Sequence, residues 1–311
     1  MPTIALIDPL TLLGRETAAA LEQVVRNPDD IALFHTNPDE EHEIADVAGR
    51  PAIIPALNSA SDLDTVAIAV LTGHHPSARL AALDEAARLR ADLIIVDASA
   101  DQPFLDRAMP VIDPRDVDTC TLVRPAHPAL AVTRRLLEAL EALELESVSV
   151  HAIDPVSVFG EPAIAELAQQ AAQRLQGAPV ETLVQDRVLA FNLLQGSGDV
   201  ITEDAQQLFS GLDITASRSL GGCFHGTLVH VTGHGTVPFT EDAVLAGLDA
   251  HPTIRVMDTD LGLDAVPDVD SILAARPVVS PRGTSLSIIA MVDGLRVGGA
   301  RTIAELVAGL T

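Results

Sequence analysis

The sequence predicts an α/β protein: a Rossmann-like, doubly wound parallel sheet, followed by an α+β part built on a mixed sheet. Three observations carry that prediction. Over the first 124 residues, short and wholly apolar runs alternate with stretches of helical spacing, as expected of strands buried on both faces. Beyond them, long alternating runs follow one another without a helix between, which requires antiparallel or mixed pairing. The chain of 311 residues is also long enough for two cores.

Taken in order, Ile4–Ile7 is the first apolar run, and Leu13, Leu21 and Val24 then keep helical spacing. Ile31–Phe34 is a second strand. The acidic group Asp39, Glu40, Glu41 and Glu43 around His42 reads as a solvated helix start, where negative charge is favoured. Residues 66–71 and 93–96 are further strands, separated by a helix over 77–90. In the second part, residues 147–153 form a strand and Glu161–Leu175 a helix. Residues 188–191 read as a short strand, and 202–208 as a helix started by Thr202. Strands over 214–224, 227–232 and Ser285–Val292 come next, and a last helix spans 302–310.

Composition removes several classes of function. The formal charge is −25, and all 19 basic residues are arginine. So acidic a surface repels nucleic acid and anionic membranes, so neither is an expected partner. Without lysine there is no Schiff-base chemistry and no lysine clamp for phosphate. No apolar run approaches the ~20 residues of a membrane span, and the start lacks a basic leader, so a cytoplasmic protein is expected. Two cysteines, Cys120 and Cys223, make neither a disulfide framework nor a cysteine-rich zinc site. Cys223, His225, His230 and His234 invite a metal reading, but strand parity turns His225 away from the other two histidines, so no metal is expected.

The chain turns on the stretch Leu122 to Leu130. An apolar run ends in Arg124-Pro125, and the residue before a proline is pushed out of the α region. Pro128 then suits the first turn of a helix, which Leu130, Leu136, Leu137 and Leu140 continue. A strand running into a helix N-terminus offers bare N–H donors and a positive dipole end, a setting for a thiolate or an oxyanion. Here that place holds Ala126 and His127. His74-His75-Pro76 marks another strand end at which Rossmann-like folds bind ligands.

This order of elements resembles the aspartate-semialdehyde dehydrogenase family, in particular its divergent USG-1-like branch. The residues that carry the resemblance are Ala190-Phe191-Asn192-Leu193, Val156-Ser157-Val158-Phe159-Gly160, Asp97-Ala98-Ser99-Ala100, and the segment from Asp293 to Ala300, similar to the family's D-N-L-R-K-G-A-A. The resemblance implies a Rossmann-like domain over 1–125, closed by a C-terminal helix over 300–311, and a dimerisation domain over 126–299. It also implies NADP as cofactor, a homodimer, and reduction of an acyl phosphate through a cysteine thioester, with a histidine moving protons and an arginine holding the substrate carboxylate.

Matched part by part, the family's machinery is missing. Aligning Pro125 with the family proline puts Ala126 or His127 where the cysteine belongs. Cys120, five positions before Pro125, would need a shifted register. Leu220 takes the arginine position and Thr227 the histidine position; Arg218 and His225, each two residues earlier and on the same side of an extended strand, are the possible substitutes. Asp154 replaces a glutamine and would repel an anionic substrate. Of the glycine turn only Gly14 remains; Asp8 brings a carboxylate near the phosphate position and Pro9 removes an N–H. Val297 replaces a lysine, while Ser99 and Gly298 are vestiges of the cofactor site. The expectation is a catalytically degenerate protein that needs no cofactor and whose ligand the sequence leaves open. The alternatives are an active NADP-dependent dehydrogenase using Cys120 or Cys223, or acid–base chemistry by His127, His225 and Asp154. A homodimer is expected through residues of about 126–290, on the argument that the strands there carry more apolar surface than their helices can cover.

Overall fold

The computed structural model describes residues 4–73, 78–99, 104, 106–117, 121–184, 186–196, 199–258, 261–263 and 271–310. The chain divides into two compact units, Met1–Pro125 with Gly299–Thr311, and Ala126–Gly298.

The first unit runs β1 (Ile4–Ile7), α1 (Leu12–Val24), β2 (Ile31–Phe34), β3 (His42–Val47), β4 (Arg50–Pro55), β5 (Ile68–Leu71), α2 (Ala78–Leu89), β6 (Ile94–Asp97), β7 (Met109–Val111) and β8 (Leu122–Pro125). Its main sheet has the order β2-β1-β5-β6-β8-β7, and every pair is parallel. Every residue of β1 and β5 is buried, which is why those strands are apolar throughout rather than alternating. The last helix of the chain, α7 in chain order (Arg301–Leu310), places Ile303, Leu306 and Val307 in one core with Ile4, Leu6 and Leu21.

The second unit runs α3 (Pro128–Ala139), β9 (Leu145–Asp154), α4 (Glu161–Leu175), β10 (Leu193–Gln195), α5 (Asp199–Leu208), β11 (Asp213–Gly221), β12 (Thr227–Gly235), α6 (Glu241–Ala250), β13 (Ile254–Met257), β14 (Ile272–Ala275), β15 (Val278–Val279) and β16 (Ser285–Val292). Its mixed sheet has the order β10-β11-β9-β12-β16-β14-β13, with β15 beside β16. β11 is parallel to β9, and β12 is antiparallel to both β9 and β16.

The strict alternation of these long strands sorts the sheet into two unlike faces. Val148, Val150, Ala152, Ile214, Ala216, Val229, Val231 and Ile288 are buried on one face. There α5 packs on β11, and α3 packs on β9, β12 and β16. The other face carries Ser149, His151, Thr215, Ser217, His230, Thr232 and Ser287, and it is open. This corrects the expected apolar surplus. The apolar side chains are covered within the unit, partly because α6, which the sequence reading lacks, packs against α3 and β13.

Four local readings are corrected as well. The acidic group at 39–43 leads into a hairpin, not a helix: β3 and β4 pair antiparallel around Ala48 and Gly49, both at positive φ (52° and 80°), the geometry that a tight two-residue turn demands. Residues 188–191 are a turn, with Phe191 at φ 59°, since the buried Gln170 side chain takes the N–H groups of Leu189 and Ala190 that a ladder would need. Helix α5 begins at Asp199, and the hydroxyl of Thr202 bonds to the carbonyl of Ala216 instead of capping. β11 ends at Gly221, so Phe224 and His225 lie outside any strand.

Candidate functional site

Of the residues singled out by sequence, His127, Asp154 and Arg218 come together, at the start of α3 and the ends of β9 and β11. His127 is the N-cap of α3, at φ −51° and ψ 137°, and Pro128 takes the first helical position, where it has no N–H to lose. The Ala129 N–H donates to His127 Nδ1 at 3.2 Å. With Nδ1 accepting, the ring proton sits on Nε2, which donates to Asp154 Oδ2 at 3.0 Å. Asp154 is the last residue of β9 and is buried. Arg218 NH1, from neighbouring β11, stands 3.8 Å from the same Oδ2. Gly196 leaves the room for that guanidinium: a Cβ there would meet Arg218 Cγ at 2.8 Å. The other carboxylate oxygen, Oδ1, is buried without a hydrogen-bond partner among the described residues.

Both ring nitrogens of His127 are thus engaged within the chain. In a catalytic dyad one imidazole nitrogen faces the carboxylate and the other faces the reacting group. Here the second nitrogen is engaged by the helix N-terminus, so the ring has no free basic site. His127 holds a helix end and a buried carboxylate together.

The remaining candidates do not join the pair. Thr227, the first residue of β12, is buried, and its hydroxyl has no hydrogen-bond partner among the described residues. A Cβ added at Gly294 would sit 2.6 Å from that hydroxyl. His225 is exposed in the loop ahead of β12 rather than on a strand beside Thr227. Leu220 is buried in an apolar cluster with Val156, Ala163 and Leu167. Cys120 and His74-His75-Pro76 lie outside the described residues. Cys223 is half-buried; burial pushes its thiol up, and the Asp154 carboxylate adds to the rise against a backbone hydrogen bond that lowers it. That is the wrong direction for a thiolate nucleophile. Among the described residues no group of three His, Cys, Asp or Glu is placed to hold a metal. His230 Nε2 and His234 Nδ1 instead meet Ser287 and Ser285, at 2.7 and 2.9 Å.

Asp154 and Arg218 also line a cavity of about 430 Å³, together with Val158, Phe159, Arg187 and Gln195. Arg187, Leu194 and Gln195 escaped notice in the sequence. Only their return beside β11 brings them to the cavity, and no local pattern encodes it.

Among the described residues of the first unit, those at the crevice do not fit a dinucleotide. The crevice of such a fold lies at the C-terminal ends of the strands flanking the reversal of strand order, here β1 and β5. Thr11 occupies that place. Its hydroxyl accepts the Gly14 N–H at 3.0 Å and lies 3.1 Å from the carbonyl oxygens of Asp8 and Thr72. A Cβ at Gly73 would lie 2.5 Å from the Thr11 methyl. Asp8 does not point at the phosphate position, as its sequence place suggests. Its carboxylate is buried and accepts from the N–H and hydroxyl of Thr36, at 2.8 and 2.7 Å. Gly14 serves close packing, since a Cβ would meet the Asp8 carbonyl oxygen at 2.5 Å. Ser99 donates its hydroxyl to Asp97 at 2.7 Å and is buried. In the second unit, Gly298 packs on Pro128, with 2.5 Å between its would-be Cβ and that of the proline.

Comparison with known proteins places this geometry in context. No family model matches the chain. A USG-1 protein homolog from Azotobacter vinelandii is 25% identical over 189 residues, 55% of this chain and 56% of that protein, so the match spans little more than half the length of the relative. Among solved structures, aspartate semialdehyde dehydrogenase II from Vibrio cholerae, complexed with ASA, superposes with a TM-score of 0.83 at 17% identity, over 99% of this chain and 97% of that one. A probable aspartate-semialdehyde dehydrogenase from Pseudomonas aeruginosa gives 0.81 at 20% identity, over 99% and 98%. The chain therefore has the fold of the aspartate-semialdehyde dehydrogenases, with the sequence likeness to a USG-1 protein homolog that its own motifs indicate.

Proposed function

We propose that this chain is a USG-1-like protein of aspartate-semialdehyde dehydrogenase descent that no longer carries out the thioester reaction. In this reading it is a cytoplasmic homodimer that holds a small polar ligand in the Asp154–Arg218 cavity. One observation carries the proposal: the helix N-terminus suited to a reactive thiol is capped by His127, whose two ring nitrogens are both engaged. The upward push on Cys223 supports it, because a shifted register would make that thiol the nucleophile. The filled crevice beside Thr11 supports weak or absent NADP binding.

The test is a phosphate-dependent assay with aspartate semialdehyde and NADP, run beside calorimetric titration of NADP at moderate salt. No reduction above the blank and no saturable heat are expected. Activity that vanishes in Cys120→Ser would restore the dehydrogenase reading, and a micromolar dissociation constant for NADP would refute the loss of the cofactor site.

A further inference from the structure

We propose that the β3–β4 hairpin of the first unit is a docking edge for an extended, basic segment of another protein, which joins β3 as a further strand and covers Ile44 and Ile53.

Strand alternation gives the hairpin two unlike faces. On the inner face Val47 and Ile54 are buried, and Ala45 and Ala52 pack beside them on the core that holds Ile4, Leu6 and Leu21. On the outer face the cross-strand pairs are His42 with Pro55, Ile44 with Ile53, and Asp46 with Pro51. All of these residues are exposed, Ile44 and Ile53 to 81% and 65%. A single exposed isoleucine is ordinary, but two opposite each other, with a proline in the row on either side, make a continuous apolar strip.

The backbone beside that strip is open as well. Val47 and Arg50 close the turn at Ala48-Gly49, so the ladder to β4 uses residues 47, 45 and 43. The N–H and C=O groups of His42, Ile44 and Asp46 therefore point away from β4. Among the described residues no strand pairs with β3 on that side. The outer edge of β4 differs: Pro51 and Pro55 have no N–H to give, and the Pro55 carbonyl accepts from the His35 N–H at 3.0 Å. An extended segment laid along β3 would meet the open backbone groups, and its alternate side chains would lengthen the Ile44–Ile53 row.

Charge selects the occupant. Asp39, Glu40 and Glu41 lead into β3, which itself carries Glu43 and Asp46. Glu43 and Asp46 accept from uncharged groups, the Asn37 amide at 3.2 Å and the Gly49 N–H at 2.8 Å, so their charge stays available. Arg50, across the turn, is engaged by Glu22 at 2.9 Å. Lysine or arginine flanking an apolar residue complements this edge. A second copy does not. The chain carries −25 and has no lysine, and β3 laid on β3 would bring two sets of the same carboxylates together, the means by which exposed edges avoid pairing with themselves.

The test is fluorescence anisotropy of a short labelled peptide alternating lysine and valine, titrated with the full chain at physiological salt. A second peptide keeps every lysine but has proline for alternate valines, so it carries the same charge and cannot form the ladder. Saturable binding of the first peptide is expected. It should weaken about fivefold or more for the proline peptide, and by a similar factor in Ile44→Ser/Ile53→Ser. Equal binding of the two peptides, or a double variant that binds as the wild type does, would mean charge attraction without docking and overturns the proposal. Absence of saturable binding overturns it too. Sedimentation velocity of the wild type and the double variant checks the rival occupant: a mass that falls in the variant would assign the strip to a second copy. Should the double variant not fold, the two peptides on the wild-type chain decide alone.

Discussion

His127 Nε2 stands 3.0 Å from Asp154 Oδ2, and the two residues are 27 positions apart in the chain. The pair joins the N-cap of α3 to the end of β9 and leaves the histidine no free nitrogen. The histidine thereby clasps a helix end to a buried carboxylate.

Removing the histidine should therefore cost stability. His127→Ala deletes an N-cap and takes the hydrogen-bond donor from a buried carboxylate, for a loss of about 2–4 kcal/mol. Asp154→Asn in the same chain should return part of it by removing a buried charge that then has only Arg218, at 3.8 Å, to meet it. Urea unfolding of the single and double variants checks this, and additive losses would mean that the two side chains are not coupled.

Cys223 should be a slow thiol. Burial and the Asp154 charge raise it above its ordinary value, so the thiolate fraction at neutral pH is smaller than for a free cysteine. In a Cys120→Ser background, iodoacetamide should modify Cys223 more slowly than glutathione at pH 8 and accelerate only as the pH passes above the usual thiol range. Reaction at the rate of a free thiol near neutrality would contradict this.

Thr227 and Gly294 test whether the histidine position of the resembled family keeps any polar role. The Thr227 hydroxyl is buried and unpartnered, so Thr227→Val should be neutral or stabilise by up to about 1 kcal/mol. Gly294→Ala places a methyl against that oxygen and should cost about 1–3 kcal/mol. Thermal unfolding separates the two, and a marked loss in Thr227→Val would show that the hydroxyl matters.

Gln170 should hold the turn before β10 in place. Its buried side chain accepts from the N–H groups of Leu189 and Ala190, at 2.7 and 3.2 Å. Gln170→Ala leaves both donors unmet and should cost about 2–3 kcal/mol. Hydrogen exchange at those two amides should accelerate more than at β9; uniform acceleration would mean that Gln170 supports the whole unit rather than this turn.

Much of the fold was written in local pattern. Ile4–Ile7, Ile31–Phe34, Glu161–Leu175 and Ser285–Val292 are legible because burial on both faces, on one stripe or on one face leaves a distinct period in the residues themselves. The start of α3 was legible from Pro128, and the absence of a cysteine beside it was a fact of the sequence alone. The hairpin of β3 and β4 escaped because its acidic approach mimics a helix start, while the decisive signal is positive φ at Ala48 and Gly49. The turn at 188–191 escaped because Gln170, some twenty positions away, claims its donors. Tertiary structure alone decided that His127 meets Asp154, that Asp8 turns to Thr36, and that the histidines of β9 and β12 share one open face. Periodicity states which side of an element is apolar. Which distant group satisfies a polar atom depends on chain closure over long range, and no local spacing carries that information.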